Sequence, residues 1–493
     1  MSEEPQQPID ERAPAAPRVG VDEWVATHET RREERAGLWG RLDRAWHWLP
    51  GWAQLAVVVV PAALFPFTTE SDYLIRVGIN ALLFALLALG LNVVVGYAGL
   101  LDLGYIAFYG FGAYTYAMLS SGKFDLHLPT LVSLPVVIAA SALLGLLLGL
   151  PSRRLLGDYL AIVTLFFAQI FITFTTNGNR LNVPWSDRPV DLTGGPNGIP
   201  GVDAFDLFGW EATTTTSYFW ISLVTFALVL SGLHFLNRSR TGRAWRALRE
   251  DPLAAEAMTI PVNRLKLLAF MFGAATAGLT GSIFAAVQIG VFPQNFELPL
   301  LITLYAMVIL GGAGSLPGVV IGAVAITVLL EVLRSPDDSR LVLYGVIVLG
   351  LLGWLRPWRT LGAVVAGTVV FGLAVHALVA LVWPRGVERT AIGGEGVLGW
   401  AIENWVLLPT QPGTIANVAF VALVAAILAL TQLRRTWRLV GLAPTLYLAA
   451  FVWENKLVFQ PSVTRLLLLG ALLVALMNLR PQGLLGTARV EIV

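Results

Sequence analysis

The sequence predicts an all-α polytopic membrane protein, and three observations predict it: the composition, the placement of the charges and the length of the apolar runs. The chain has 493 residues, of which 56% are hydrophobic and 13% charged, whereas soluble domains carry about 25% charged residues. Residues 1–50 alone hold 17 of the 65 charges, so the rest of the chain is poorer still. The apolar runs are continuous, which excludes the alternating pattern of a membrane β-barrel.

Composition also excludes several function classes. The chain has no cysteine, which excludes a disulfide framework, a cysteine zinc site and a cysteine-ligated iron–sulfur cluster. A net charge of +1 gives no electrostatic basis for binding nucleic acid. The histidines lie far apart with none at metal-ligand spacing, so no metal site is expected. They are His28, His47, His127, His234 and His376.

Residues 1–50 form a predicted cytoplasmic extension. They are polar and acidic before any apolar run, unlike a signal peptide, whose apolar core lies near the start. The first part is rich in Pro, Glu and Gln, a composition typical of disorder. Residues 21–49 fit either an amphipathic helix at the membrane surface or a solvated charged tail, and the sequence favours neither.

Roughly 14 apolar runs follow, and a membrane span needs about 20 residues. They lie near 52–67, 73–95, 102–121, 128–150, 158–177, 218–236, 266–290, 298–311, 317–333, 341–355, 361–383, 415–432, 437–453 and 465–479. Glycines crowd two places, around 96–112 and 311–318. Irregular backbone at membrane depth is stable only when it is buried in protein or lines a cavity, so these segments are predicted to be broken or re-entrant.

The arginines predict the orientation, because short cytoplasmic loops are enriched in Arg and Lys. Loops at 153–156, 237–265 and 433–437 are basic and are predicted to be cytoplasmic. Residues 178–217 are acidic or neutral along most of their length and are predicted to be periplasmic. Both termini are then cytoplasmic.

An internal repeat bears on the same orientation. Residues 340–357 and 465–481 both read Arg, an apolar run with Gly at the sixth position, and Leu-Arg-Pro. If both Arg-Pro ends are cytoplasmic, an even number of helices lies between them. The alternative is a chance match between two Leu-rich helices.

The basic stretch after residue 238 predicts two short helices outside the membrane. Its arginines recur every three residues and would share one face of the first helix. They are Arg243, Arg246 and Arg249. Asp251 is a good N-cap and Pro252 suits the first position of a second helix over about 252–258, which Pro261 would end. Such a helix fits docking into a groove on a partner or lying at the interface without one, and the residues leave both open.

The stretch from Asn92 to Tyr114 is the predicted lining of a translocation path. Its glycines let backbones approach closely and expose carbonyl groups to a passing zwitterion. The alternative for each polar residue is a helix–helix hydrogen bond worth about 0.6 kcal/mol. The predicted path residues are Asn92, Gly96, Tyr97, Gly99, Asp102, Gly104, Gly110, Gly311, Gly312 and Gly314.

Seven passages, in order along the chain, carry a family resemblance. They are 89–114, 157–165, LTGGPNGI at 192–199, 242–257, 277–281, GGAGSLPG at 311–318 and RPQGLLG at 480–486. Through them the chain resembles the second, M-type permease subunit of bacterial ABC importers for branched-chain amino acids. The resemblance covers roughly 75–334 and resumes at 465–486.

The resemblance implies a machine of two permeases and two ATPases in the inner membrane, fed by a periplasmic substrate-binding protein. This chain would stand beside an H-type permease, and residues 250–258 would be the coupling helix that seats in an ATPase. The implied interface residues are Arg249, Glu250, Asp251, Leu253, Ala254, Ala255, Glu256, Ala257 and Met258. The chain has no phosphate-binding loop, since its Gly122-Lys123 pair is followed by Phe124. ATP and Mg are therefore expected on the ATPases, with no cofactor and no enzyme activity on this chain.

The chain departs from the family pattern in three places. Thr259 stands where the family commonly has Gly, and Gln169 where it often has Glu. Residues 357–464 have no counterpart and read as four inserted helices, which we expect to form a peripheral layer. The resulting domains are the extension, a permease core at 51–356, the insertion, and a terminal helix with a cytoplasmic tail at 465–493.

Other functions stay open from the residues alone. A secondary transporter would show the same broken helices and buried polar groups but would need no ATPase. A membrane scaffold would use the extra helices and the extension. Relatives within the resemblance carry branched-chain amino acids, other amino acids, urea or short amides, so the sequence does not fix the substrate.

Overall fold

A computed structural model describes residues 50–152, 158–181, 189–207, 209–354, 358–382, 404–407 and 412–459, with parts of 466–474 and residues 483–485. The predicted N-terminal extension and both Arg-Pro ends of the repeat lie outside the described residues. The described helices are α1 (Gly51–Leu64), α2 (Asp72–Asn92), α3 (Tyr105–Leu119), α4 (Thr130–Ser152), α5 (Asp158–Asn177), α6 (Thr215–Arg238), α7 (Arg240–Glu250), α8 (Pro252–Ala257), α9 (Val262–Gln288), α10 (Leu298–Gly311), α11 (Leu316–Val332), α12 (Pro336–Trp354), α13 (Trp358–Val382), α14 (Pro412–Gln432) and α15 (Arg435–Phe459). The strands are β1 (Ile199–Pro200), β2 (Asp206–Leu207), β3 (Trp210–Glu211) and β4 (Gly290–Val291).

The apolar runs of the sequence form helices. Every predicted run up to 437–453 coincides with a described helix, which confirms an all-α polytopic membrane protein. Among the described residues, eight helices are long and apolar enough to cross a membrane. The two predicted interruptions are present: α2 ends in a π-helical turn at Val93–Tyr97, and α10 meets α11 at a glycine-rich turn. Helix α3 has 15 residues and a length of about 22 Å, short of the roughly 30 Å hydrocarbon core.

Helix α9 lies at the centre of the described bundle, where it packs on α2, α3 and α4. Gly112 of α3 lies directly against the main chain of Gly278 in α9, and Gly145 of α4 lies against Phe270 and Ala274. A larger residue at Gly112 or Gly145 would push these helices apart. In lipid, where the hydrophobic effect does not drive helices together, such close approach supplies the van der Waals contact that holds them.

The loops gather at two ends of the bundle. The strand end contains β1 paired with β4, the β2–β3 hairpin, and the loop after α3, which bridges from Ser121 to Val202. The arginine end contains α7, α8 and the turns after α2 and α10. Helix α6 has 24 residues and a length of about 36 Å, and it separates residues 189–214 from α7. The arginine-rich helix α7 and residues 189–214 therefore lie at opposite ends of α6, and which end faces the cytoplasm stays a prediction.

The described helices of the predicted insertion pack on α12 as well as on one another. Leu351 of α12, Val364 of α13 and Leu442 of α15 form one apolar core. Val406 packs with Ala450 in a second. The insertion is thus continuous with α12, and its peripheral role stays a prediction.

Candidate functional site

The short helix α8 forms as its sequence predicts and presents an apolar surface. The Oδ1 atom of Asp251 accepts hydrogen bonds from the main-chain N–H groups of Leu253 (2.8 Å) and Ala254 (3.1 Å), which caps the helix. Pro252 occupies the first turn, where its missing N–H leaves no bond unmade. Leu253 is 79% exposed and Met258 is 74% exposed. Two large apolar side chains therefore project from the arginine end.

The other residues of 250–258 differ in their exposure to solvent. Glu250, Ala254, Glu256 and Ala257 are exposed. Ala255 is only 4% exposed and lies buried against the chain itself. Its side chain has little exposed surface, and its predicted contact with a partner stays a prediction.

Trp245 fixes α7 to the bundle. The side chain is wholly buried, and its Nε1 donates to the carbonyl oxygen of Leu265 in α9 at 2.9 Å. Its ring stacks on Tyr97, with centroids 6.4 Å apart and planes inclined by 16°. Tyr97, a predicted path residue, thus packs against α7, and α7 is held to both α9 and the turn after α2.

Two of the three arginines of α7 lie on the surface. Arg243 and Arg246 are exposed. Arg243 donates to the carbonyl oxygen of Arg238 (3.0 Å) and Arg246 to that of Asn237 (3.4 Å), both at the end of α6. These contacts cover carbonyl groups that the end of a helix leaves without partners.

Arg249 points the other way, into the permease. Its Nη1 donates to the carbonyl oxygen of Gly96 at 2.6 Å and lies 3.4 Å from that of Ala313. One guanidinium therefore contacts both interruptions, the turn after α2 and the turn after α10. The guanidinium thus faces the bundle and not the exposed side of α8, where the sequence places Arg249 in the predicted partner interface.

Asn92, Gly96, Gly99, Gly314 and Arg249 form what we call the glycine junction. The Oδ1 atom of Asn92 accepts a hydrogen bond from the N–H of Gly314 at 2.8 Å, which joins the two turns directly. Gly99 and Gly314 have φ of 69° and 93°, in the left-handed region that favours glycine. A Cβ at Gly314 would lie 2.5 Å from Arg249 Nη1, and one at Gly99 would lie 3.0 Å from Arg249 Cγ. The backbone thus favours glycine at both positions, and a Cβ at either one would crowd the Arg249 side chain.

The end of the chain returns to this junction. The N–H groups of Leu484 and Leu485 donate to the carbonyl oxygens of Leu310 (2.8 Å) and Gly311 (3.0 Å) at the end of α10. Gly483 lies against Gly312. The RPQGLLG passage and the GGAGSLPG passage, which the sequence separates widely, are therefore in contact.

The remaining predicted path residues lie apart from the junction. Asp102 is wholly buried, and its Oδ1 accepts from the N–H of Gly104 at 2.9 Å. Tyr305 donates its hydroxyl to the Asp102 carbonyl oxygen at 2.7 Å. Gly104 lies against Thr164, whereas Gly110 lies among phenylalanine rings further along α3. In this structure these residues make helix contacts, and a place for them in a path stays a prediction.

A polar cavity at the strand end has no counterpart in the sequence interpretation. His127 Nδ1 lies 2.7 Å from Asp203 Oδ2, and Asp125 lies 3.8 Å from the other ring nitrogen. The hydrogen bond to Asp203 and its negative charge raise the pKa of the His127 imidazole. The cavity also includes Asp206 and Glu211. Sequence spacing treats His127 as isolated, because its partner lies in a different loop.

Comparison with known proteins gives consistent matches. Residues 73–352 match the protein family described as branched-chain amino acid transport system / permease component. The chain is 37% identical over 331 residues to the high-affinity branched-chain amino acid transport system permease protein LivM of Salmonella typhimurium, which covers 62% of this chain and 73% of that protein. It is 28% identical over 294 residues to LivH of the same organism (57% and 91% covered). The corresponding values for BraD of Pseudomonas aeruginosa are 25% over 288 residues (57% and 91%). No solved structure matches the chain significantly.

Proposed function

This chain belongs to the family of branched-chain amino acid transport permeases, and from that membership we propose that it is one of two permeases in an ATP-driven importer of the bacterial inner membrane. The family and the apolar helices make it a multi-pass membrane protein and a permease subunit of a branched-chain amino acid importer. The second permease in the proposal is an H-type subunit, in keeping with the likeness to LivH.

The observation that carries this proposal is the exposed apolar surface of α8. Leu253 and Met258 stand outside the membrane-spanning helices at the arginine end and are almost fully exposed. Large exposed apolar groups rimmed by charge mark interaction sites, and Glu250 and Glu256 flank these. We propose that α8 seats in a groove of an ABC ATPase and receives its movement.

The assignment of ATP binding to other subunits rests on the sequence of this chain. It has no phosphate-binding loop, so ATP and Mg are proposed to bind the two ATPase subunits. A periplasmic substrate-binding protein would deliver the amino acid at the strand end. This chain would contribute the solute path and hydrolyse nothing itself.

The orientation is part of the same proposal. The arginine end would face the cytoplasm, together with both termini, because basic short loops stay on that side. Single cysteines can test this cleanly, since the chain has none. An impermeant thiol reagent applied to intact spheroplasts should label Glu211→Cys and spare Arg246→Cys, and the reverse pattern would overturn the orientation.

The path itself is proposed to run beside α2 and α3 and past the glycine turns. Asn92 and Asp102 are wholly buried polar groups in an apolar bundle, and a buried ionisable group at membrane depth is a hypothesis for a functional site. The glycines at 96, 99, 104, 110, 311, 312 and 314 would permit the helix movements that open it.

The test is reconstitution of the permease with its proposed partners in proteoliposomes. We expect uptake of labelled leucine, isoleucine or valine that requires ATP, both ATPases and the binding protein. Uptake by the permease alone under an ion gradient would instead establish a secondary transporter. If instead the importer took up labelled urea or a short amide, and branched-chain amino acids did not compete for that uptake, the substrate would be a urea-like or amide solute.

A further inference from the structure

The two interrupted helices, α2 and α10, are each followed by a turn that contacts the same positively charged group, the guanidinium of Arg249. The last turn of a helix leaves carbonyl groups without partners and carries partial negative charge. The Gly96 carbonyl follows α2 and the Ala313 carbonyl follows α10, and both face the Nη1 atom of Arg249. The guanidinium therefore holds two independent helix ends at one point.

The groups around this guanidinium pack closely against it and limit its movement. Gly99 lies against its aliphatic stem and Gly314 against Nη1, so a Cβ at either glycine would require the arginine side chain to shift. Asn92 ties the second turn to α2 as well. A lysine at 249 would offer one compact ammonium in place of a planar group that spans two acceptors. Movement of Arg249 must therefore move one or both turns.

Arg249 is also joined closely to α8. Asp251 is both the C-cap residue of α7 and the N-cap residue of α8. One residue, Glu250, separates Arg249 from Asp251, so α7 and α8 meet at a corner with Arg249 on its inner side. A displacement of α8 is transmitted to Arg249 through a short stretch of backbone.

Arg249 is not what holds α7 to the bundle. Trp245, one turn earlier, is wholly buried, donates to α9 and stacks on Tyr97. Loss of the guanidinium thus leaves α7 and the exposed face of α8 in place. Trp245 therefore attaches α7 to the bundle, whereas Arg249 contacts the turns after α2 and α10.

We propose that Arg249 is the positioning residue through which α8 moves the turns after α2 and α10, so that a movement of the docked ATPase opens or closes both interrupted helices together. This inference rests on the proposed function. It names the residue that connects the ATPase-docking helix to the glycine junction.

The experiment uses the complete importer, reconstituted in proteoliposomes with its binding protein. Arg249→Ala and Arg249→Lys are compared with Arg246→Ala, which removes an exposed arginine from the same helix. We expect Arg249→Ala to keep ATPase association and ATP hydrolysis while lowering amino acid uptake per ATP by about tenfold. Arg249→Lys should restore only part of the uptake, and Arg246→Ala should stay within about twofold of the unchanged protein.

Two results would overturn the inference. One is uptake per ATP in Arg249→Ala within about twofold of the unchanged protein. The other is a parallel fall of uptake and hydrolysis with assembly intact, which would show a general loss of activity. Failure of the proposed function looks different, because Leu253→Glu would then leave ATPase association unchanged and no uptake would depend on ATP.

A second variant covers the case in which Arg249→Ala does not insert. Gly314→Ala keeps the arginine but places a Cβ 2.5 Å from Nη1. Gly209→Ala is its control, because Gly209 also has positive φ (83°) but has open space around it. Lower uptake per ATP in Gly314→Ala alone supports the inference, and equal values in the two variants contradict it.

Discussion

Arg340 and Glu454 lie 114 residues apart in the sequence and form an ion pair, with the Nε atom of the arginine 2.8 Å from Oε2 of the glutamate. Neither side chain has any exposed surface. Tyr344 donates its hydroxyl to the other carboxylate oxygen at 3.1 Å. Arg340 lies within the residues that match the permease family, and Glu454 lies in the extra helices. The pair therefore fastens the insertion to the core.

Removal of one partner of this pair should be costly. Glu454→Ala leaves the Arg340 charge buried without its carboxylate, so we expect it to lower the free energy of unfolding by about 3–5 kcal/mol. Reversible unfolding in mixed micelles measures this. The control is Arg340→Met combined with Glu454→Leu, which removes both charges and should cost much less. Equal losses in the single and double variants would show that packing, not charge, dominates the site.

The same pair bears on deletion of the insertion. Joining the end of α12 directly to residue 481 removes Glu454, so Arg340 loses the carboxylate with which it forms the ion pair. We therefore expect that deletion combined with Arg340→Met inserts in the membrane more stably than deletion alone, and that it retains partial uptake. Yield of folded protein and uptake in proteoliposomes measure the two effects. A deletion variant that folds and binds its ATPases but transports nothing would place the extra helices in the path.

A charge on α8 should weaken ATPase binding. Leu253→Glu puts a carboxylate where an exposed leucine would be buried by a partner, so we expect a loss of about 2 kcal/mol in association. Titration of labelled ATPase onto the detergent-solubilised permease measures it. Leu126→Glu makes the same change at an exposed leucine of the strand end and should have no effect. Unchanged binding in Leu253→Glu would exclude α8 as the docking helix.

Thr259 is a strained position. Its φ is 62°, a conformation that costs a β-branched residue free energy and that glycine adopts readily. We expect Thr259→Gly to raise the free energy of unfolding by roughly 0.5–1 kcal/mol, after the entropy cost of glycine in the unfolded chain. Thr213→Gly, at an exposed threonine without positive φ, should lower it instead. A destabilised Thr259→Gly variant would mean that Thr259 makes contacts worth more than its strain.

Stability at the strand end should depend on pH through His127. Asp203 raises the pKa of this imidazole, so its contribution is complete below the ordinary histidine pKa of about 6.5. The contribution is lost as pH rises through the raised pKa of the folded protein. The difference in melting temperature between the unchanged protein and His127→Gln should therefore shrink above neutral pH. Asp125→Asn is the control, because its contact is longer, and a difference that grows with pH would contradict the assignment.

The sequence predicts features whose parts lie close together in the chain. The cap of α8 is of this kind, since Asp251 bonds to groups two and three residues away. The apolar runs and the two glycine interruptions are also local, and the helices follow them. The position of Thr259 fits this pattern too, because the glycine expected there corresponds to a left-handed backbone.

The sequence does not predict which distant groups meet. Spacing places Arg249 with Arg243 and Arg246, but its carbonyl partners lie 153 and 64 residues away, and the long side chain reaches across the helix to them. His127 and Asp203 are separated by 76 residues. These contacts depend on how helices pack, and packing among small residues leaves little trace in hydrophobic periodicity.

The hydrogen bonds from Leu484 and Leu485 to the end of α10 set an order for biosynthesis. Helix α10 leaves the ribosome long before the residues that complete its end, and at about 5–20 residues per second the intervening chain takes roughly 9–35 s to make. Throughout that interval the carbonyl groups of Leu310 and Gly311 at the end of α10 lack these two partners. These two hydrogen bonds can therefore form only after residues 484 and 485 have been synthesised, late in the production of the chain.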